Sequence, residues 1–252
     1  MPPGDSPVLI CDLDGTILRV NSFPRWISHI VFGRVPRLGF RGRAILSLRA
    51  QLVLLRRKSG GIDHRQLMRG IQLAWHQAVE AGAEPGSERL RASLRTSVRP
   101  ALLPLLREIA AGEKEAVLAT AAAGEYAIGL GQDLGFRHVL ATKIRLERAD
   151  ELNSGEQKLK RVVAFLEEEN WLMRPLILLT DHIDDLPLIH YCAAVGWFGS
   201  VAAMRRAKAV ANGARFIDCH MLNATALSRA LSDLSAHAIS FAASRSRDKT
   251  SW

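Results

Sequence analysis

The chain has 252 residues, of which 48% are hydrophobic, and a net charge of +9. This length and composition are enough to bury a good core in one large or two modest domains. No apolar run reaches the roughly 18 residues that a membrane span needs, and the N-terminus lacks the charged and apolar regions of a secretion signal. Three cysteines without metal-binding spacing indicate reduced thiols, so we predict a cytoplasmic protein.

The first predicted strand, residues 8–12, is an apolar run that ends in paired acids, Asp12 and Asp14. Residues i and i+2 of a strand point to the same side, so both carboxylates can face one pocket. Open α/β sheets bind ligands at the carboxyl ends of their strands. A divalent cation between the acids would relieve their repulsion, and oxygen ligands suit Mg²⁺, which also binds phosphate. The stretch therefore predicts a magnesium and phosphate site.

Residues 17–100 are predicted to be a helical insertion after this first strand. Two of its helices each carry an apolar face, formed by Ile45, Leu48, Leu52 and Leu55 in one and by Leu67, Ile71, Trp75 and Ala78 in the other. Asp63 is the predicted N-cap of the second helix. From Ile17 to Gly60 there are ten Lys and Arg residues and no acid. This basic run is either an ordinary solvated face or a surface that attracts anions.

The rest of the chain alternates predicted strands and helices, which is typical of a parallel sheet covered on both faces. The further strands are at residues 116–120, 138–141, 176–180, 194–198 and 215–217. The helix at 156–169 has an apolar stripe, preceded by Ser154 and Gln157 in capping-box spacing. We predict an α/β core of residues 1–16 and 101–235, a helical domain of residues 17–100, and a flexible tail of residues 236–252.

Four ordered motifs resemble those of the haloacid dehalogenase superfamily of phosphohydrolases, in its phosphoserine-phosphatase-like branch. The first, DxDGT, is matched at residues 12–16, and the second, an apolar strand ending in Thr or Ser, is matched at Thr120. The third, a Lys at a helix start, is Lys158, and the fourth, an acidic turn after a strand, is TDHIDD at 180–185. The resemblance implies a Rossmann-like core with a helical C1 cap inserted after the first strand.

The resemblance also implies catalytic roles. Asp12 would be the nucleophile that becomes an aspartyl phosphate, and Asp14 would protonate the leaving alkoxide and then activate water. Thr120, Ala121 and nearby backbone N–H groups would hold the phosphoryl oxygens of the substrate. Lys158 would bind the substrate and screen the charge of its phosphate.

Mg²⁺ is the implied cofactor. The resemblance places it between Asp12, Asp181 and the backbone carbonyl of Asp14, with Asp185 supporting the metal site. Asp184 stands where relatives often carry Asn or Ser, and His182 where they often carry Gly or Ser. The sequence alone assigns no role to either residue.

The implied activity is hydrolysis of a small organic phosphate that the cap selects. Phosphoserine itself is disfavoured, because Gly15–Thr16 replaces a common Ser-Thr pair and residues 17–60 offer no acid for an amino group. A phosphotransferase or mutase would share the nucleophile. A different class of function is a non-catalytic module that binds anions or a membrane through the basic cap. Nucleic acid is not expected as a partner, since only 6% of residues are aromatic.

A further alternative is a phosphatase of membrane lipid phosphates. The cap combines its cations with the apolar stretches 26–32 and 44–55, a mixture that can rest on an anionic bilayer. The competing interpretation is that these stretches pack inside the cap's own helical bundle, while the arginines steer a soluble phosphate ester into the pocket.

Overall fold

The core of the protein is one parallel six-stranded sheet in the order β3-β2-β1-β4-β5-β6. The computed structural model describes residues 6–32, 39–81, 88–144, 151–211 and 213–248. The strands are β1 (Val8–Cys11), β2 (Ala116–Ala123), β3 (His138–Thr142), β4 (Leu176–Thr180), β5 (Ala194–Trp197) and β6 (Arg215–Asp218). All six predicted strands are present, and the predicted parallel α/β class is confirmed.

Strand β1 lies at the centre of the sheet, where it pairs with β2 on one side and β4 on the other. Both β1 and β4 are completely buried, which fits their uninterrupted apolar sequences. The chain leaves β1 toward β2 and later returns to its other side at β4, so β1 and β4 flank a topological switch point. The carboxyl ends of β1, β2 and β4 therefore lie beside one another.

Between β1 and β2 the described residues form five α-helices, and the first four are α1 (Ser22–Val31), α2 (Phe40–Lys58), α3 (His64–Glu80) and α4 (Glu88–Arg95). Asp63 caps α3 as predicted, because its side chain accepts a hydrogen bond from the Gln66 backbone N–H at 2.7 Å and the Gln66 side chain accepts one from the Asp63 N–H. The predicted apolar face of α3 is buried. Trp75 on this face packs edge-on against Trp26 of α1, with 6.2 Å between ring centroids.

Helix α2 differs from α3 because its predicted apolar face points to solvent. Ile45, Leu48, Leu52 and Leu55 share one face, as their spacing predicts, but each is at least half exposed. The helix packs through its opposite side, where Leu46 and Ala50 are buried. The interpretation that the stretches 26–32 and 44–55 pack inside the cap's own bundle is therefore right for 26–32, where Trp26 and Ile30 are buried, and wrong for the outer stripe of α2.

Six more helices surround the sheet: α5 (Leu103–Ala111), α6 (Gly124–Asp133), α7 (Gly155–Glu168), α8 (Leu186–Tyr191), α9 (Val201–Val210) and α10 (Ala224–Asp248). Ser154 is the N-cap of α7, but the predicted capping box does not form because its side chain makes no capping hydrogen bond. The Gln157 N–H instead bonds to the Ser154 carbonyl oxygen.

The predicted flexible tail is helical as far as the structure describes it. Helix α10 continues to Asp248, and inside the predicted tail Ala238 is buried one turn after Leu234. Residues 249–252 lie outside the described residues. The boundaries of the core and the cap stay predictions. Among the described helices, none is both long and apolar enough to cross a membrane.

Candidate active site

A pocket of about 360 Å³ lies at the carboxyl ends of β1, β2 and β4. The segment between β1 and β2 supplies one side of it through Arg19, Val20, Asn21, Phe23, His64 and Met68. All seven residues predicted for the site line this pocket: Asp12, Asp14, Thr120, Ala121, Lys158, Asp181 and Asp185. The fold thus brings together residues that are up to 173 positions apart in the chain.

Lys158 joins two of the acids at the base of the pocket. Its ammonium donates hydrogen bonds to Asp12 Oδ1 at 2.8 Å and to Asp185 Oδ1 at 2.7 Å, and all three side chains are buried. Burial alone would lower the pKa of Lys158, but the two carboxylates raise it above its usual value. Lys158 is therefore a fixed positive charge beside Asp12.

The other oxygens of these two acids differ in their surroundings. Asp185 Oδ2 accepts a hydrogen bond from the Thr180 hydroxyl at 2.6 Å, so both of its oxygens are engaged. Among residues that the structure describes, none donates a hydrogen bond to Asp12 Oδ2. Asp185, held by Thr180, thus orients the Lys158 ammonium. Asp12 Oδ2 is left available to a ligand in the pocket. Thr180 is a site residue that sequence reasoning missed.

Asp14 is held by the first residue of α1. The Ser22 N–H donates to Asp14 Oδ1 and the Ser22 hydroxyl donates to Oδ2, both at 2.9 Å. The hydroxyl of the buried Tyr126, on α6, lies 2.7 Å from Ser22 Oγ. Because the ionised carboxylate only accepts, the chain of donors runs from Tyr126 through Ser22 to Asp14. Sequence analysis missed both Ser22 and Tyr126.

Thr120 and Ala121 line the pocket at a break in the regular β2–β3 register. Thr120 Oγ1 accepts a hydrogen bond from the Ala122 N–H at 3.1 Å, which leaves its own proton available to a ligand. The Asn153 amide, which sequence reasoning also missed, is fully buried and donates to the carbonyls of Thr120 and Leu140 at 3.0 and 2.7 Å. Asn153 thus ties the loop before α7 to the strands that carry Thr120.

Arg99 supports the loop that follows β1. Its guanidinium donates to the carbonyl oxygens of Gly15 and Thr16 at 2.7 and 2.9 Å, and it lies over the Phe198 ring, 5.3 Å from the centroid. Gly15 has a φ of 73°, and a Cβ there would collide with the Asp181 carboxylate. Only glycine therefore lets this loop pass so close to Asp181.

His182 and Asp184 form the rim of the pocket. His182 Nδ1 accepts a hydrogen bond from the Asp184 N–H at 3.2 Å, and so caps the 3₁₀ turn Ile183–Asp185. Both side chains are exposed. This turn presents Asp181 and Asp185 to the pocket, which gives His182 a structural role that the sequence did not reveal.

Helix α3 is joined to the sheet domain beside the pocket by hydrogen bonds to Glu125. Glu125, at the start of α6, is buried and accepts hydrogen bonds from Gln72 and His76 of α3, both at 3.0 Å. His76 is half-buried, and no sequence motif points to its contact with Glu125. His76 fixes α3 above the carboxyl edge of the sheet.

The acids carry more negative charge than Lys158 neutralises. Burial raises the pKa of Asp12 and of Asp181, with neighbouring carboxylates adding to the effect, and it raises that of Asp14 to about 6. Within the described ranges, no group of three or more His, Cys, Asp or Glu side chains could hold a metal ion. Two carboxylates and a backbone carbonyl make a smaller set, and Mg²⁺ commonly keeps several waters. The donors at Asp12, Asp14 and Asp181 therefore fit the predicted cation.

Comparisons with known proteins agree with the fold and the motifs. The sequence matches the family of haloacid dehalogenase-like hydrolases over residues 9–190. A search of curated proteins finds no match. A Bordetella pertussis Tohama I protein of unknown function is similar in structure, with a TM-score of 0.61 and 19% identity over 85% of this chain and 99% of that one.

Two further solved structures share the fold at lower identity. A probable phosphoserine phosphatase from Vibrio cholerae has a TM-score of 0.57 and 14% identity, covering 97% of this chain and 68% of its own. A cytosolic 5′-nucleotidase IIIB bound to cytidine has a TM-score of 0.52 and 11% identity, covering 98% and 88%. The family match spans more than half of the chain, and the chain therefore belongs to the haloacid dehalogenase-like hydrolases.

Proposed function

We propose that this protein is a Mg²⁺-dependent phosphomonoester hydrolase that acts through an aspartyl phosphate on Asp12. The observation that carries the proposal is the bridge from the Lys158 ammonium to Asp12 Oδ1 and Asp185 Oδ1. It places a positive charge where an anionic phosphate must approach a carboxylate, and it leaves Asp12 Oδ2 to attack.

The proposed reaction has two displacements at phosphorus. Asp12 Oδ2 forms a bond to phosphorus while the bond to the ester oxygen breaks, and the leaving alkoxide takes a proton from Asp14. Asp14 then removes a proton from water, whose oxygen bonds to phosphorus as the bond to Asp12 breaks. Inorganic phosphate leaves, Asp12 is again a free carboxylate, and Asp14 again carries the proton with which it began. Thr120 and Ala121 lie in the pocket where the phosphoryl oxygens would be held.

Asp14 is suited to move a proton at neutral pH. Burial raises its pKa to about 6, although the two hydrogen bonds from Ser22 oppose that shift. A general acid and base works best with a pKa near the operating pH. The Ser22 bonds also fix the direction of the carboxylate, so the start of α1 positions the proposed acid.

We propose that Asp12, Asp181 and the backbone carbonyl of Asp14 hold the Mg²⁺. When bound, the ion would neutralise charge on the phosphate and its attacking carboxylate. Asp185 is better suited to a supporting role, because both of its oxygens are engaged by Lys158 and Thr180.

The proposed substrate is a small organic phosphate selected by a cap of residues 17–100. The cap residues that line the pocket are apolar, neutral or basic, with Arg19, Phe23, His64 and Met68 among them. Within the described cap residues, none that faces the pocket is acidic, which argues against a substrate with an ammonium group such as phosphoserine. A phosphotransferase would need a second acceptor in place of water.

Removing divalent metal is expected to abolish hydrolysis of p-nitrophenyl phosphate, because the clustered carboxylates then repel the substrate's phosphate. EDTA should reduce the rate to background, and added Mg²⁺ should restore it. Asp181→Asn should raise the Mg²⁺ concentration needed for half-maximal rate by at least about tenfold. Asp233→Asn, at an exposed position of α10 outside the pocket, serves as the matched control. An unchanged rate in EDTA would show that the proposed metal site is wrong.

Replacing Arg99 by Lys is expected to lower kcat/KM by about tenfold, because an ammonium lacks the planar fork that reaches the carbonyls of both Gly15 and Thr16. Arg99 does not line the pocket, so it acts by positioning this loop. The Mg²⁺ requirement should rise in parallel, which a purely structural defect would not produce. Arg95→Lys, on the surface of α4, is the control. Equal Mg²⁺ titrations for wild type and Arg99→Lys would contradict the assigned role.

A further inference from the structure

We infer that the outer face of α2 docks the protein on an anionic lipid surface. This outer face is defined by the apolar residues Ile45, Leu48, Leu52 and Leu55, together with Arg41, Arg49 and Arg56, the cations nearest to them around the helix. The inference concerns a surface away from the acids of the pocket, and it holds whether or not the proposed phosphatase activity is correct.

The apolar part of this surface is continuous along the helix. Its four residues follow one another at intervals of three, four and three positions and are 50% to 61% exposed. The same helix already uses its other side for packing, where Leu46 and Ala50 are buried and Val53 lies against Gly70 of α3. Ile45, Leu48, Leu52 and Leu55 are therefore not used to pack the fold. An exposed apolar stripe of this kind marks an interaction site.

The charged residues of helix α2 are all positive. Six cations of α2 are exposed: Arg41, Arg43, Arg49, Arg56, Arg57 and Lys58. No Asp or Glu occurs between Ile17 and Gly60, so no acid in this stretch neutralises them. With the opposite side of α2 packed against the protein, the exposed side offers leucines that can enter the interface of a bilayer and arginines that are attracted to anionic head groups.

Charge decides against a second copy of the chain as the occupant. Two copies joined through this face would bring Arg41, Arg49 and Arg56 of each copy together, and such repulsion disfavours a symmetric dimer. Shape favours lipid over a partner protein. The outer face belongs to one helix and is convex, whereas a protein partner would have to provide a complementary groove. A bilayer interface accepts a convex helix directly.

The basic end of α2 also lies close to the pocket. Arg57 donates a hydrogen bond to the Ile62 carbonyl at 2.9 Å and interacts electrostatically with His64, which lines the pocket. Arg57 thus lies on the side of α2 that also carries Leu46 and Ala50, and it is not part of the outer face.

Vesicle flotation of the full-length protein tests the inference. We expect the wild type to float with phosphatidylglycerol–phosphatidylcholine vesicles at low salt, to float poorly at high salt, and not to float with phosphatidylcholine alone. The triple variant Leu48→Gln, Leu52→Gln, Leu55→Gln should not float. The triple variant Arg41→Gln, Arg49→Gln, Arg56→Gln should bind about a hundredfold more weakly.

Matched controls come from exposed residues outside the cap. Arg205, Arg206 and Lys208 of α9, each changed to Gln, remove the same charge, and Met173→Gln with Met221→Gln removes exposed apolar surface. Both controls should float like the wild type. Circular dichroism and thermal unfolding verify that every variant is folded. Because flotation measures binding to vesicles, the test needs no substrate.

Three results would overturn the inference. In the first, the wild type fails to float with anionic vesicles at low salt. In the second, the α2 variants float as well as their controls. In the third, size-exclusion chromatography shows a stable dimer that the leucine variant converts to a monomer, which would make a second copy the occupant.

Discussion

Replacing Asp12 by Asn is expected to reduce hydrolysis of p-nitrophenyl phosphate by more than about a thousandfold, because an amide cannot form an acyl phosphate. The fold should survive. Asn has nearly the same shape, and its carbonyl oxygen can still accept the hydrogen bond that Lys158 donates to Asp12 Oδ1. Steady-state rates and the thermal unfolding midpoint are the two measurements.

Two further variants test whether the loss of activity is specific to the carboxylate of Asp12. Asp218→Asn removes an exposed carboxylate at the end of β6, in the same sheet, and should leave the rate unchanged. Asp14→Asn should slow turnover and leave Asp12 phosphorylated, since hydrolysis of the acyl phosphate loses its base; an acid-quenched mass spectrum would detect the phosphoryl group. Turnover by Asp12→Asn at the wild-type rate would exclude the proposed nucleophile.

Replacing Lys158 by Met is expected to lower both activity and stability. The change leaves the buried carboxylates of Asp12 and Asp185 without the ammonium that neutralises them. Removing one partner from a buried ion pair costs about 3–5 kcal/mol of unfolding free energy. Hydrolysis should fall by at least about a hundredfold, since the positive charge beside the attacking oxygen is lost.

The neighbouring Lys160 supplies the control for Lys158. It lies on the same helix but is exposed, so Lys160→Met should change neither the rate nor the urea midpoint appreciably. Unfolding is best measured in EDTA, where no cation can compensate for the missing ammonium. Should Lys158→Met unfold at the same urea concentration as Lys160→Met and keep a wild-type rate, then Lys158 would be an ordinary helix lysine.

The sequence by itself was sufficient to predict the strands of the sheet and the acids and lysine that line the pocket. The six strands are short, continuous apolar runs, a local property that is visible without any knowledge of the fold. Asp12 and Asp181 directly follow two of these strands, and Lys158 lies in the first turn of α7, so a parallel sheet collects all three at its carboxyl edge. The family match over residues 9–190 confirms the resemblance that these motifs suggested.

The supporting residues of the pocket could not be found in this way. Ser22 and Tyr126 are 104 positions apart, and Arg99 lies 84 positions from the Gly15 carbonyl that it binds. No local pattern marks such partners, because their contacts arise only when the helices fold back over the sheet.

The sequence also did not determine which side of helix α2 is buried. Periodicity places Ile45, Leu48, Leu52 and Leu55 on one face, but α2 also has apolar residues on the opposite face, among them Leu46 and Ala50. Neighbouring helices can cover only one side of a helix at the surface, and a residue pattern does not state which one. Tertiary packing buried Leu46 and Ala50, and it thereby left the outer leucines and their arginines exposed to a partner.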